Sequence, residues 1–224
     1  MDIYLEIGAK RVFAGAVAWP GWCRTASDED GALAALAEYG GRYAGVLAGA
    51  DLHPPFAAPK RTSGLIVVER LAGDSTTDFG APSIAPAADA SPMKLKDLGK
   101  LGAIMDACWK ALDDAARSAV GVDLAKGPRG GGRNLDAILE HVSGAEASYA
   151  GRIAVRLPAR SASDPGRSDA AARAGVLEGL KRAVTEGVPS TGPRGGVMWT
   201  PRYFVRRAAW HVLDHAWEIE DRSS

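Results

Sequence analysis

Two histidines near the carboxyl end of the chain have the spacing of a metal-binding pair. His211 and His215 lie within residues 210–217, a segment that is predicted to be helical. Side chains four residues apart on a helix lie one above the other on the same face. The chain contains only four histidines. We therefore predict that both imidazoles reach a single metal ion, for which neutral imidazole is a common ligand.

A third histidine, His141, lies at an inward position of another predicted helix, in line with Ile138 and Ala145. Three imidazoles from two helices would form a metal site with positions open to water or substrate. A histidine on an apolar helix face can also be a hydrogen-bonded core residue, and the spacing leaves that alternative open. Val212 stands where HExxH metalloproteases carry a glutamate, so a protease mechanism of that type is not expected.

Acidic residues lie close enough to these histidines to contact the imidazole rings. A metal-bound histidine usually donates its other ring N–H to an acceptor such as a carboxylate. Glu140 precedes His141, while Asp214 and Glu218 each follow a histidine by three residues. We predict that Asp214 or Glu218 orients a metal ligand or accepts a proton during catalysis.

The five residues Gly-Pro-Arg-Gly-Gly occur twice, at 127–131 and at 192–196, each time before a histidine-bearing helix. If the two helices run parallel, both loops lie at the same end of the protein. Glycine-rich backbone, helix N-terminal amides and arginine side chains suit a carboxylate or a phosphate. Arg129 and Arg194 are therefore candidates to bind an anionic part of the substrate. The alternative is that glycine and proline only form turns and that both arginines are solvated.

The composition is that of an ordinary globular protein with no charge bias. The 224 residues carry 27 basic and 27 acidic side chains, so we expect neither a nucleic-acid nor a membrane partner. The N-terminus lacks the pattern of a signal peptide, and the longest apolar run is far too short to span a membrane. Cys23 and Cys108 are predicted to be free thiols in a reducing cytoplasm, with Cys108 acting as a small core residue.

The first 72 residues predict a small α+β module. Ile3, Leu5 and Ile7 alternate with other residues as in a half-buried strand, and further strands are predicted at 11–17, around Cys23, and at 65–71. Ser27 is a candidate N-cap for a helix that Gly40 and Gly41 weaken or end. The edges of such a sheet could pair in a homodimer, so both monomer and homodimer remain open.

Residues 73–91 are rich in Pro, Ala, Ser, Asp and Gly and are predicted to form a linker without regular structure. The remainder, 92–224, has four segments with apolar residues at helical spacing. Their predicted N-termini lie at Ser91-Pro92, Asn134, Ser168 and Thr200-Pro201. The fold prediction is therefore an α+β module followed by an all-α, up-down-up-down four-helix bundle.

Residues 92–222 resemble the DinB/YfiT-like family of metalloenzymes. The resemblance is carried by a histidine on the second helix, in the run 137–142, and by the HxxxH of the closing helix, in the run 206–222. It implies a four-helix bundle that binds a divalent transition metal through His141, His211 and His215. Zinc or nickel is expected first, and iron, manganese or cobalt would also fit. Relatives in that family use small thiols such as mycothiol, bacillithiol or glutathione in transferase or isomerase reactions.

The N-terminal module is similar to the HicB-like strand-strand-strand-helix module. The resemblance is carried by the runs 19–23 and 27–33. Antitoxin function is not expected, because no DNA-binding segment is visible. The resemblance instead suggests a role as a lid, in dimerisation or in packing against the bundle.

Together these features predict a metal-dependent enzyme that activates a small thiol for S-transfer to an electrophilic substrate. A bound metal lowers the pKa of a thiol and so generates a thiolate at neutral pH. Two alternatives remain at this point: a hydrolase that uses a metal-bound hydroxide, and a non-catalytic binding or stress-response module that the metal only braces. Open coordination positions would favour catalysis, and a fourth protein ligand would favour bracing.

Overall fold

The computed structural model describes residues 1–126, 132–158, 165–192 and 195–223, except for the side chains of residues 165, 167 and 168. Within these residues the chain forms four strands and seven α-helices, with the strands in the first third. The protein is therefore α+β, as predicted. Among the helices that are described, none is both long and apolar enough to cross a membrane.

The N-terminal strands form one mixed sheet in the order β3-β2-β1-β4. The strands are β1 (Asp2–Ile7), β2 (Val12–Ala16), β3 (Cys23–Ala26) and β4 (Ile66–Ala72). β2 pairs antiparallel with β1 and β3, whereas β4 pairs parallel with β1. All four lie where the sequence predicts strands. The parallel pairing requires a crossover connection, which contains the first two helices.

Helices α1 (Glu29–Glu38) and α2 (Gly40–Leu47) form this crossover. The N-cap of α1 is Asp28 rather than Ser27, because the Asp28 carboxylate accepts a hydrogen bond from the Gly31 amide at 2.8 Å. α1 ends before the glycine pair, as predicted, and α2 begins at Gly40. A Cβ at Gly40 would lie 2.8 Å from the Cβ of Ala58, so this close approach requires glycine.

The segment 73–91 has more regular structure than its composition predicts. It contains helix α3 (Ser75–Phe79) and a short 3-10 helix (Ala87–Ala90). The Asp74 side chain accepts hydrogen bonds from the amides of Thr76 and Thr77, and the Thr77 hydroxyl accepts one from the Asp74 amide. This reciprocal cap stabilises one helical turn that has no apolar periodicity, which explains why the pattern did not reveal it.

Four long helices follow: α4 (Leu95–Ser118), α5 (Leu135–Gly151), α6 (Pro165–Glu186) and α7 (Pro201–Arg222). The predicted caps of α5 and α7 are confirmed, since Asn134 and Thr200 each accept a hydrogen bond from the amide three residues later. The predicted start of α4 at Pro92 is wrong. Ser91 has an extended backbone at the end of the 3-10 helix, and α4 begins at Leu95, three residues after Pro92.

α7 lies at the centre of the molecule. It packs against α4, α5 and α6, and it is buried along most of its length. One continuous cluster of buried apolar side chains joins the sheet, α1 and α2 to the long helices. Phe13 of β2 contacts Trp210 edge-on, and Tyr39, which follows α1, contacts Trp217. Because the N-terminal module packs on α7, it helps to fix the helix that carries two of the three histidines.

Candidate metal centre

The structure brings the three predicted histidines together between α5 and α7. The ring centroids of His141, His211 and His215 are 4.7 to 5.1 Å apart, and one nitrogen from each ring lies within 4.8 Å of the others. His211 and His215 share one face of α7 because they are four residues apart. His141 faces them from α5, with its Nε2 atom 3.3 Å from Nε2 of His211.

The cluster is buried on the α7 side and more open on the α5 side. His211 is 6% exposed and His215 is 9% exposed, while His141 is partly exposed. A ligand would therefore approach past His141.

A chain of hydrogen bonds orients His215. Its Nδ1 atom lies 2.7 Å from the Glu218 carboxylate, which in turn accepts a hydrogen bond of 2.6 Å from Arg222. Arg222 is buried and also donates to the carbonyls of Ala125 and Arg133 in the α4–α5 connection. With a proton held on Nδ1 by the carboxylate, the lone pair of His215 is on Nε2, which is free for a metal.

The electrostatics favour the neutral form of His141 and His211 and the charged form of Glu218. Burial, together with the nearby His215 and His141, lowers the pKa of His211 to about 2. Burial also lowers the pKa of His141. The hydrogen bond from His215, with further help from Arg222, lowers the pKa of Glu218 to about 2. At neutral pH the site therefore offers neutral imidazoles at His141 and His211 and a carboxylate at Glu218 that can accept a hydrogen bond, as metal binding requires.

The geometry of the donors fits a first-row divalent metal. Two nitrogens held by one tetrahedral zinc ion are about 3.3 Å apart, since each Zn–N distance is about 2.0–2.1 Å. The distance of 3.3 Å between the Nε2 atoms of His141 and His211 agrees with this value. In the part of the chain that the structure describes, no cysteine or carboxylate joins the three-histidine group. Such a set would leave at least one coordination position for water or substrate.

The other acidic candidates lie away from the rings. Asp214 points towards the N-terminal module, where its carboxylate lies 3.3 Å from the Arg24 guanidinium. Glu140 is exposed. Glu218 is the one acid of the three that contacts a histidine of the cluster in the structure. Asp214 and Glu218 each follow a histidine by three residues, so helix geometry allows either of them to contact an imidazole ring. The packing of α7 against the N-terminal module instead pairs Asp214 with Arg24, while Glu218 contacts His215.

The two arginines predicted to bind substrate, Arg129 and Arg194, lie outside the described residues, so their role stays a prediction. Just after the first loop, however, Gly132 lies against Arg222. A Cβ at Gly132 would be 2.5 Å from an Nη atom of Arg222, which is held by its bond to the Arg133 carbonyl. Glycine at this position therefore lets the α4–α5 connection close over the Glu218–Arg222 pair.

Sequence reasoning missed Arg207, which lies four residues before His211 on α7. Its guanidinium stacks 4.6 Å from the Trp210 ring and 5.4 Å from the Tyr149 ring. The Tyr149 ring also contacts His211, with the centroids 5.7 Å apart. The spacing of four residues on the histidine-bearing face could have revealed Arg207, but the neighbouring Arg206 made the pair resemble ordinary helix charges.

The cysteines have no part in this site. Cys23 and Cys108 are free and buried, as predicted. Burial raises the pKa of Cys23 to about 12 and raises the pKa of Cys108 as well. Neither residue would be a thiolate at neutral pH, so any reactive sulfur must come from a ligand.

Two larger clefts of the described structure lie away from the histidines. One, of about 710 Å³, lies between α2, α4 and α7. The other, of about 670 Å³, lies between α4, α5 and α6 and contains Glu146. Burial raises the pKa of Glu146 to about 7, against the hydrogen bond of 2.5 Å that it accepts from Trp109. Neither cleft is lined by a histidine, so the donor chemistry rather than cavity size identifies the candidate site.

No protein-family model, curated protein or solved structure matches the chain. The function is therefore inferred from the geometry of this site.

Proposed function

We propose that the protein is a metal-dependent enzyme in which His141, His211 and His215 bind a divalent transition metal. Zinc and nickel are the favoured metals. The observation that carries the proposal is the convergence of three imidazoles with no fourth protein donor among the described residues. A purely structural metal site is usually closed by four protein ligands, whereas a catalytic site leaves one position open. The metal-braced module is therefore the less favoured alternative.

The reaction that we propose is the transfer of a small thiol to an electrophilic substrate. A divalent metal at this site would stabilise the thiolate form of a bound thiol at neutral pH. Glu218 holds the Nδ1 proton of His215 and so keeps its Nε2 lone pair directed at the cluster. Arg222 fixes the Glu218 carboxylate from the other side. The thiol comes from solution, since both cysteines are buried.

We also propose that the four long helices form a bundle of the DinB type. The packing of α4 and α5 against both α6 and α7 supports a four-helix arrangement. The up-down-up-down order is not supported by this packing, because α4 and α5 are consecutive helices and have little direct contact in the described structure. For the N-terminal module we propose a packing role. Contacts of Phe13 with Trp210, of Arg24 with Asp214 and of Arg42 with Asp221 support it, because all three hold α7 in position.

Metal content tests the central claim. Native protein and the variants His141→Ala and His211→Ala are compared by elemental analysis, with His53→Ala as the matched control. His53 is the fourth histidine, and its side chain is 86% exposed. We expect about one metal ion per chain in the native protein and in His53→Ala, and strong depletion in the other two variants. Equal metal content in all four proteins would overturn the proposal.

Cobalt substitution distinguishes thiol chemistry from hydrolysis. A small thiol such as glutathione is added to the cobalt-loaded protein, and the visible spectrum is recorded. A new sulfur-to-cobalt charge-transfer band, together with turnover of a chromogenic electrophile only when thiol is present, supports S-transfer. Turnover of a chromogenic ester without thiol, and no such band, would support the hydrolase instead.

A further inference from the structure

Two adjacent arginines of α7 have opposite environments. Arg206 is 6% exposed and makes four hydrogen bonds: it donates to both carboxylate oxygens of Asp89, at 2.6 and 2.8 Å, and to the carbonyls of Ala16 and Val17, both at 2.8 Å. Four of its five N–H donors are therefore used within the protein, and its role is to hold the 3-10 helix and the sheet against α7.

Arg207 has no such partners. Its Nη1 atom is buried and makes no hydrogen bond, and no carboxylate of the described chain forms an ion pair with the guanidinium. The guanidinium carbon lies within cation–π distance of the Trp210 and Tyr149 rings, at 4.6 and 5.4 Å from their centroids. These ring contacts do not use the N–H donors, and those of Nη1 have no acceptor among the described residues. A buried donor without an acceptor is rare in folded proteins and is commonly completed by a ligand or an ordered water.

The position of Arg207 connects it to the histidine cluster. It lies one helical turn before His211 on the same face, about 6 Å along the α7 axis. Tyr149 from α5 bridges the two, since its ring contacts both the guanidinium and the His211 ring. The Tyr149 hydroxyl makes no hydrogen bond to any described residue. The cluster therefore adjoins aromatic rings, N–H donors that have no acceptor in the described part of the chain, and a hydroxyl with no hydrogen bond there.

We propose that Arg207, assisted by Tyr149, binds a carboxylate of the substrate while the reacting group of the same molecule lies at the histidine cluster. A planar guanidinium edge matches a planar carboxylate through two parallel hydrogen bonds. The substrate class is a short thiol acid, in which the carboxylate and the sulfur are a few bonds apart, because Arg207 and His211 lie only one helical turn apart on α7. This inference rests on the proposed function, because it takes the cluster to hold the reacting group.

The test compares two thiols that differ only in charge at the far end, 3-mercaptopropionate and 3-mercapto-1-propanol. Each is titrated calorimetrically into zinc-loaded wild-type protein and into Arg207→Met. We expect the wild type to prefer the acid by about tenfold or more, since hydrogen bonds between charged groups contribute about 1.5–3 kcal/mol. Arg207→Met should lose this preference while keeping its zinc and its affinity for the alcohol.

Three further variants control the result. Arg42→Met is the matched control: Arg42 also stacks over two aromatic rings, Tyr39 and Trp217, but its guanidinium is paired with Asp221 and Glu220. It should keep the full preference for the acid. Arg207→Lys retains the charge without the planar edge and should keep part of the preference, which guards against misfolding of the methionine variant. Tyr149→Phe should reduce the preference by less than Arg207→Met does.

The outcomes separate the two proposals. A preference for the acid that is equal in wild type and Arg207→Met would overturn the carboxylate site and leave the metal proposal intact. If the protein binds no zinc, the same titrations are made on metal-free protein. A preference for the acid that still depends on Arg207 would then support the carboxylate site and contradict the metal proposal, and its absence would contradict both.

Discussion

Two polar regions on different sides of α7 differ in how completely their hydrogen-bonding atoms are satisfied. Around Arg206, the guanidinium, the Asp89 carboxylate and two strand carbonyls form a closed set of partners. Around His211, by contrast, two buried nitrogens have no partner among the described residues: Nδ1 of His211 itself and Nη1 of Arg207. Both regions lie on the same helix, and Arg206 and His211 are each 6% exposed, whereas the Arg207 residue as a whole is partly exposed.

The difference separates structural polarity from functional polarity. A buried polar atom left without a hydrogen-bond partner costs about 1–3 kcal/mol, so a fold that retains two of them loses stability. The closed set around Arg206 has no such cost and joins α7 to the sheet. The incomplete set around His211 is best explained by partners that come from outside the chain. Disrupting the first region should therefore lower stability, and disrupting the second should weaken metal binding.

The largest expected effect is on stability, at the closed set. Asp89→Ala leaves the Arg206 charge buried without a partner, which should lower the free energy of unfolding by about 3–5 kcal/mol. Asp114→Ala is the control, because Asp114 forms ion pairs with Lys110 and Arg117 at the surface and should cost less than about 1 kcal/mol. Urea denaturation measures both. If the two substitutions lower the free energy of unfolding equally, the structural role assigned to Asp89 is wrong. That role is also wrong if the folded fraction of Asp89→Ala has lost its metal, because Asp89 is assigned to stability alone.

A smaller effect, on metal affinity rather than stability, is expected at the incomplete set. Glu218→Gln removes the charge that orients His215 and should weaken zinc binding about 10- to 100-fold. Asp214→Asn serves as the comparison, since Asp214 has the same sequence spacing from a histidine but contacts Arg24 instead. Competition with a chromogenic chelator measures both affinities. If Asp214→Asn weakens zinc binding as much as Glu218→Gln does, the orienting role of Glu218 is wrong.

The smallest effect concerns a third polar group, Glu146, which has one hydrogen bond and lies in a different cleft. Its pKa is raised from 4.5 to about 7, chiefly by burial, so the folded state holds a proton that the unfolded state releases. This group therefore contributes stability below about pH 4.5 that is lost as the pH rises towards 7. His211 acts in the opposite direction: its pKa is lowered, so its contribution is lost as the pH falls below 6.5.

The variant Glu146→Gln separates the pH-dependent contributions of Glu146 and His211 to stability, because it removes the first and keeps the second. The difference in unfolding free energy between wild type and this variant should change by roughly 1 kcal/mol or more between pH 4.5 and 7, with the wild type relatively more stable at the acidic end. Denaturation in metal-free buffer across that range measures the difference. A flat difference would show that Glu146 ionises normally and is better solvated than its burial suggests.

Much of the site could be predicted because it depends on local geometry. Helical spacing places His211 and His215 on one face, and Thr200 with Pro201 marks the start of their helix. His141 follows the apolar face of α5, which must point inward. The strands of the N-terminal module were predictable for the same reason, since alternating burial is a property of neighbouring residues. In contrast, α3 was missed because a side-chain cap at Asp74, rather than apolar periodicity, stabilises it.

The sequence by itself determined which side chains could meet on one helix face: His211 and His215, the acid three residues beyond each of them, and the arginine one turn before His211. It also placed His141 on the inward face of a second helix. Only the tertiary structure decided which of these contacts exist. Packing of the N-terminal module against α7 directs Asp214 to Arg24 and leaves Glu218 for His215. The buried Asp89 satisfies Arg206 and leaves Arg207 without an acid. The physical reason is that a hydrogen bond or ion pair between distant segments depends on their approach to within about 3 Å, which local spacing does not specify.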